Sequence, residues 1–267
     1  MRHRSIFYLL GLLSLSSTLV FACSPISNTN SSSINQSTNL TISAAASLKT
    51  AMEQIQSSYG HAKPRIKLVY NFGSSGSLQR QIEQGAPIDV FISAATDKMD
   101  ALEKQGLLLE NTRKNLLKNN IVLIVPKEKG IGIKSLRDLS RYSIQRIAMG
   151  EPKSVPVGHY AQQVLKNLKI FEKIKPKVVF ARDVRQVLYY VETGNVDAGI
   201  VYASDMKVSK GVELVADVPV NSHSPVLYPI AAIKSTKNAK LARELIDFLF
   251  QETSGRIFKN YGFELAE

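Results

Sequence analysis

From Leu40 to the C-terminus, short apolar runs alternate with segments in which apolar residues recur every three or four positions, and few architectures accept that order. Short runs rich in Val, Ile and Phe suit buried strands, while the 3.6-residue period suits helices laid over them. A chain that repeats strand and helix predicts an α/β protein with mostly parallel sheets. Leu40 to Ala44, Ile66 to Phe72 and Val90 to Ile92 read as strands. Between and after them, Leu48, Ala51, Met52 and Ile55 share one helical face, Leu78 and Ile82 mark a second helix, and Thr96 to Gln105 a third. Ile121 to Val125 is an apolar run stopped by Pro126, and the pattern then restarts. Strands are expected at Ile147 to Met149, Val178 to Phe180 and Ala198 to Val201. Helix faces are expected at Val157, Tyr160, Ala161 and Val164, and at Val184, Val187, Leu188 and Val191. Tyr228 to Ile233 reads as a strand before helices at Leu241 to Phe250 and near Ile257. Two similar units follow, with the chain crossing near 121–126 and returning near 228–233. Such a double crossing is expected of a two-lobed, hinged binding protein.

The first residues stand apart. Arg2 and Arg4, the apolar stretch Ile6 to Phe21 and the close at Ala22-Cys23 make residues 1–22 an export signal. That stretch is short for a membrane span of about 20 residues, and no later run is long enough, so the mature protein is expected to be water-soluble. Val20-Phe21-Ala22-Cys23 resembles a lipobox, although Phe21 replaces the usual small residue. Cys23 is the expected site of lipid attachment. As the sole cysteine it has no disulfide partner and cannot build a metal cluster. Residues 23–39, rich in Ser, Asn and Thr, read as the lipidated cysteine and a flexible tether beside a membrane. The formal charge of +12 becomes +10 once Arg2 and Arg4 leave. Lysines are dispersed, the densest group being Lys166, Lys169, Lys173, Lys175 and Lys177, with no aromatic interleaving, so a solvated face is expected and no nucleic-acid partner.

Four strand-to-helix junctions share a chemical character. Ala44-Ala45-Ala46-Ser47-Leu48 ends a strand in small residues and starts a helix with Ser47 as the expected N-cap; Phe72-Gly73-Ser74-Ser75-Gly76 does the same. Val155-Pro156-Val157-Gly158 and Asp183-Val184-Arg185 open helices in the second unit. A helix start leaves its first N–H groups unpaired and partly positive, and serine hydroxyls add donors without net charge. Ligands of open α/β sheets bind beyond the carboxyl ends of strands, where these junctions lie. Each junction alone is an ordinary cap and turn; four from two units point to an anion.

These residues resemble the periplasmic molybdate-binding proteins. The resemblance runs through the four junctions, Gln81 to Ala94, Tyr160-Ala161, Gly199-Ile200-Val201-Tyr202 with Ser204-Asp205, and Tyr261-Gly262-Phe263. It implies a two-lobed type II periplasmic binding protein fold, hinged on two crossover strands, with lobe I at 40–121 plus 231–267 and lobe II at 122–230. It implies a tetrahedral oxyanion, molybdate and also tungstate, held in the interlobe cleft. Ser47 and Ser75 would give hydroxyl and backbone N–H bonds, Val157 and Val184 backbone N–H bonds, and Tyr202 its phenol. The family often has a smaller residue at the position of Val157. The implied protein is a monomer with no catalytic residue and no cofactor, delivering its ligand to an ABC permease at the periplasmic or cell surface. Molybdate is fully deprotonated at neutral pH and needs only donors, so a site without acceptors discriminates against protonated phosphate. Sulfate must be rejected by size. Lys49, in the first helical turn, would help attract an anion.

Other chemistries are weaker on the same residues. Sulfate is the alternative ligand. Gly73-Ser74-Ser75-Gly76-Ser77 approaches the G-x-S-x-G nucleophile elbow but ends in Ser, and its partners would be Asp183 and His223, the latter in the loop signal Asn221-Ser222-His223-Ser224-Pro225. His61, His159 and His223 show no metal-ligand spacing. A polyanion-binding surface would be marked by binding that weakens steeply with salt.

Overall fold

The computed structural model describes residues 37–128 and 132–266; the export signal and Cys23 lie outside them. In chain order the elements are β1 (Thr38–Ala45), α1 (Lys49–Ala62), β2 (Ile66–Gly73), α2 (Ser75–Glu83), β3 (Val90–Ile92), α3 (Thr96–Lys104), β4 (Lys114–Lys118) and β5 (Ile121–Pro126). There follow β6 (Ile147–Gly150), α4 (Pro156–Asn167), α5 (Phe171–Ile174), β7 (Val178–Ala181), α6 (Val184–Glu192), β8 (Ala198–Tyr202) and α7 (Ala203–Val208). The chain closes with β9 (Val212–Asp217), β10 (Leu227–Ala232), α8 (Ala239–Leu249), α9 (Glu252–Asn260) and β11 (Glu264–Leu265). Strand β1 starts at Thr38, inside the segment expected to be tether.

Two sheets form two lobes, ordered β11-β4-β10-β3-β1-β2 and β7-β6-β8-β5-β9. Each contains the same three-strand parallel core, β2-β1-β3 in one and β7-β6-β8 in the other. The remaining strands are antiparallel, so the sheets are mixed rather than mostly parallel. The reason is connectivity: parallel neighbours need a crossover helix, and strands that enter a sheet from the other lobe arrive without one. The chain leaves the first sheet through Asn119-Asn120, between β4 and β5, and returns between β9 and β10. The Asn119 N–H donates to the Val226 carbonyl at 3.1 Å, which ties the two crossings together.

The apolar faces predicted from periodicity are buried. Met52 and Ile55 of α1, Val187 and Val191 of α6 and Leu245 and Leu249 of α8 are almost fully enclosed. The C-terminal helices pack on the first lobe, α8 on β10 and α9 on α1. Tyr59 of α1 meets Phe248 of α8 edge to face at 5.0 Å. In the second lobe α4 starts directly on β6: a Cβ at Gly158 would fall 2.0 Å from the Gly150 carbonyl oxygen. Only glycine permits that approach, and it carries the first turn of α4 to the carboxyl end of the sheet.

Candidate functional site

The carboxyl ends of β1 and β2 face those of β6, β7 and β8 across a small cavity. Ser47, Ser75, Val157, Val184 and Tyr202 all line it, and every residue of its wall is uncharged. Four helix starts from two sheets therefore converge on one space, as their local sequences suggested.

Each start leaves a different donor there. Ser47 is not an N-cap: Ala45 takes that position, and Ser47 sits inside a short 3-10 turn (Ala46–Leu48) that precedes α1. Its hydroxyl is 2.9 Å from the Tyr228 hydroxyl instead. Ser74 occupies the N-cap position of α2 without a side-chain cap bond, its hydroxyl donating to the Ser77 hydroxyl at 2.9 Å, and Ser75 is the first residue of the helix. The Ser75 hydroxyl oxygen accepts from the Ala94 N–H at 2.9 Å, so its own proton is free to be given elsewhere. Pro156 occupies the first position of α4 and has no N–H, which makes Val157 the first available backbone donor of that helix. At α6 the Asp183 carboxylate caps the Gln186 N–H and leaves the start of the helix at Val184 turned to the cavity. Tyr202 ends β8, is 2% exposed, and its hydroxyl has no hydrogen-bond partner among the described residues. Burial, with Tyr228 alongside, pushes its phenol well above the ordinary value. It is a neutral O–H donor throughout the physiological range.

Arg185, next to Val184, is not among the residues lining the space. Arg185 donates across the lobes to the carbonyls of Ala46 at 3.3 Å and Ser47 at 3.4 Å and to the Thr50 hydroxyl at 3.0 Å. Behind it Asp205 is fully buried, its Oδ1 3.3 Å from the Arg185 Nε. Burial raises the Asp205 carboxyl to about 7 against the pull of Arg185. A second interlobe contact joins the Gly76 N–H to the Ser154 carbonyl at 3.0 Å. A Cβ at Gly76 would lie 2.8 Å from that oxygen, so the lobes meet here only through glycine.

Other sequence candidates lie elsewhere. Lys49 is exposed and 3.9 Å from Glu53. His223 lines a separate surface pocket with Gln163 and Lys166, and neither it nor Asp183 is among the residues around the cavity that holds Ser75. Among the described residues no group of three or more His, Cys, Asp or Glu could hold a metal ion, and no helix is long and apolar enough to cross a membrane. Two polar residues behind the site escaped the sequence reading. Tyr228 is the one hydroxyl in the apolar strand β10, and Asn119 stands in the polar pair just before the apolar strand β5; those placements were their only signal.

A neutral, donor-lined cavity where two α/β lobes meet, with the chain crossing twice, defines a solute-binding protein of the two-lobed type. The model of the bacterial extracellular solute-binding protein family matches residues 40–264, and the chain belongs to that family. A Bacillus subtilis protein provisionally named an ABC transporter substrate-binding lipoprotein is 44% identical over 92% of this chain and 93% of its own. The molybdate-binding protein ModA of Escherichia coli is 39% identical, over 85% of this chain and 89% of its own. Among solved structures, the substrate-binding domain of a provisionally named molybdenum ABC transporter from Clostridium difficile superposes with a TM-score of 0.67 at 43% identity. That match covers 86% of this chain and 100% of the other.

Proposed function

We propose that the chain is an extracytoplasmic receptor that captures molybdate, and tungstate with it, between its lobes and delivers it to an ABC permease. The observation that carries the reading is the uncharged wall: four hydroxyl-bearing residues and four helix starts meet, and no side-chain charge meets them. Ser47, Ser75 and Tyr202 are the hydroxyl donors, and Ser47, Ser75, Val157 and Val184 the backbone donors. Hydrogen bonds to a charged group are worth roughly 1.5–3 kcal/mol each, so a handful exceeds the approximately 8 kcal/mol of a micromolar site. A hydrogen phosphate dianion would bring a proton for which the wall offers no carboxylate side chain. No bond in the ligand is broken, and no catalytic residue is assigned.

Capture and release follow from the hinge. Lobe I carries the first sheet, with all of β10, and lobe II the second, with all of β5; their separation on the crossings at Asn119-Asn120 and 218–226 would open the cavity. The Gly76 to Ser154 bond and the Arg185 clamp hold it shut. Lipid on Cys23 would keep this monomeric receptor at the membrane that holds the permease, and the lipoprotein name of the Bacillus subtilis relative supports that placement.

The test is calorimetric titration with molybdate at low and high salt. A one-to-one isotherm that changes little with salt supports cleft binding; loss of binding in proportion to salt would mark a surface polyanion site instead.

A further inference from the structure

Resting on the site reading above, we propose that Asn119 and Tyr228, which do not line the cavity, are positioning residues that hold Ser47 as a donor and so exclude oxyanions carrying a proton.

The direction of the hydrogen bonds behind Ser47 is determined by its far end. The Asn119 Oδ1 accepts from the Asn120 N–H at 2.9 Å, which orients the amide. Its Nδ2 is then the donor to the Ser204 hydroxyl at 2.8 Å and to the Tyr228 hydroxyl at 3.2 Å. An amide N–H₂ cannot accept, so the Tyr228 proton cannot be given back to Asn119. The Tyr202 hydroxyl also lies near that phenol but makes no hydrogen bond among the described residues, so the one remaining hydrogen-bonded neighbour is the Ser47 hydroxyl, 2.9 Å away. Only one orientation satisfies every group: Asn119 donates to Tyr228, Tyr228 donates to Ser47, and the Ser47 proton turns into the cavity. Reversal would leave the phenolic O–H of Tyr228, fully enclosed, without an acceptor.

A lone serine is indifferent, since its hydroxyl can donate or accept. Coupled to this chain it is not. Ser75 is biased the same way by a simpler device, the Ala94 N–H. The two serines therefore present protons for reasons that lie behind the wall. The chain also starts at a crossing between lobes, because Asn119 reaches Ser204 in the second lobe and Tyr228 in the first.

The test compares molybdate with arsenate at mildly alkaline pH, where arsenate is the monohydrogen dianion, by calorimetry on the wild type, Tyr228→Phe and Asn119→Asp. Tyr228→Phe keeps the ring and frees Ser47 to accept, so the preference for molybdate over arsenate should narrow about tenfold. Asn119→Asp supplies an acceptor at the far end and reverses the chain. The added negative charge weakens both dianions alike and leaves their ratio to the reversed chain, which should narrow it further still. A merely structural role would lower both affinities and leave the ratio unmoved. An unchanged ratio in both folded variants, with tight wild-type binding of molybdate, overturns the proposal alone. A wild type that binds no molybdate overturns the site reading and the proposal together.

Discussion

Replacing Tyr202 by Phe separates ligand binding from folding more sharply than any other change to the site. The hydroxyl is buried and bonded to nothing among the described residues, so the folded protein loses no internal hydrogen bond when it is removed. An unsatisfied buried hydroxyl costs about 1–3 kcal/mol, and Phe fills the ring position without it. The ligand-free melting temperature should therefore stay the same or rise. Affinity should move the other way. If the phenol donates to a dianion, its loss costs about 1.5–3 kcal/mol, or roughly 10- to 150-fold in Kd. Calorimetric titration with molybdate and thermal unfolding without it read the two effects on the same sample. Unchanged affinity in Tyr202→Phe would refute the argument from the orphaned hydroxyl, and a large loss of ligand-free stability would show that the hydroxyl has a partner in the protein.

Ser75→Ala contrasts with this: it strips the Ala94 N–H of its acceptor, so stability should fall by about 1–3 kcal/mol together with affinity, by urea unfolding and titration. Gly76→Ala places a Cβ against the Ser154 carbonyl; the lobes then cannot close fully, and molybdate affinity should drop while ligand-free melting is unchanged. Asp205 makes stability depend on pH. Its carboxyl is raised by burial to about 7, above the unfolded value of about 3.9, so its stabilising contribution is complete below that lower value and is lost as pH rises through the upper one. Between them, the stability of the wild type relative to Asp205→Asn should fall by about 1.4 kcal/mol per pH unit, measured by urea unfolding across the range.

What the sequence discloses and what it hides divide along the distance over which contacts act. The four helix starts are local events, each written in a strand, a small residue and a cap, and Ser75, Val157 and Val184 could be placed from them. Ser47 lies on the expected turn but is not its N-cap; its hydroxyl meets Tyr228 instead, 181 residues away. The Arg185 clamp spans 139 residues to Ala46 and is equally invisible to periodicity. Strand β4, Lys-Asn-Leu-Leu-Lys, has only two apolar residues and owes its extended form to β10 and β11 on either side. Strand β9 pairs on one side only, with β5, and its Val-Glu-Leu-Val-Ala-Asp pattern lacks the continuous apolar run that marks the central strands. The mixed sheets share this cause. Crossing and return are long-range choices, and the local pattern registers only that strands and helices alternate.

The central claim is that a wall of neutral donors selects a fully deprotonated tetrahedral dianion by shape and proton count. One competition titration tests it most directly: the protein saturated with molybdate, challenged in turn with tungstate, sulfate and hydrogen phosphate. The account predicts that tungstate displaces molybdate at comparable concentration, that sulfate does so only in large excess, and that hydrogen phosphate does not compete. Displacement by hydrogen phosphate or sulfate as readily as by tungstate would contradict it.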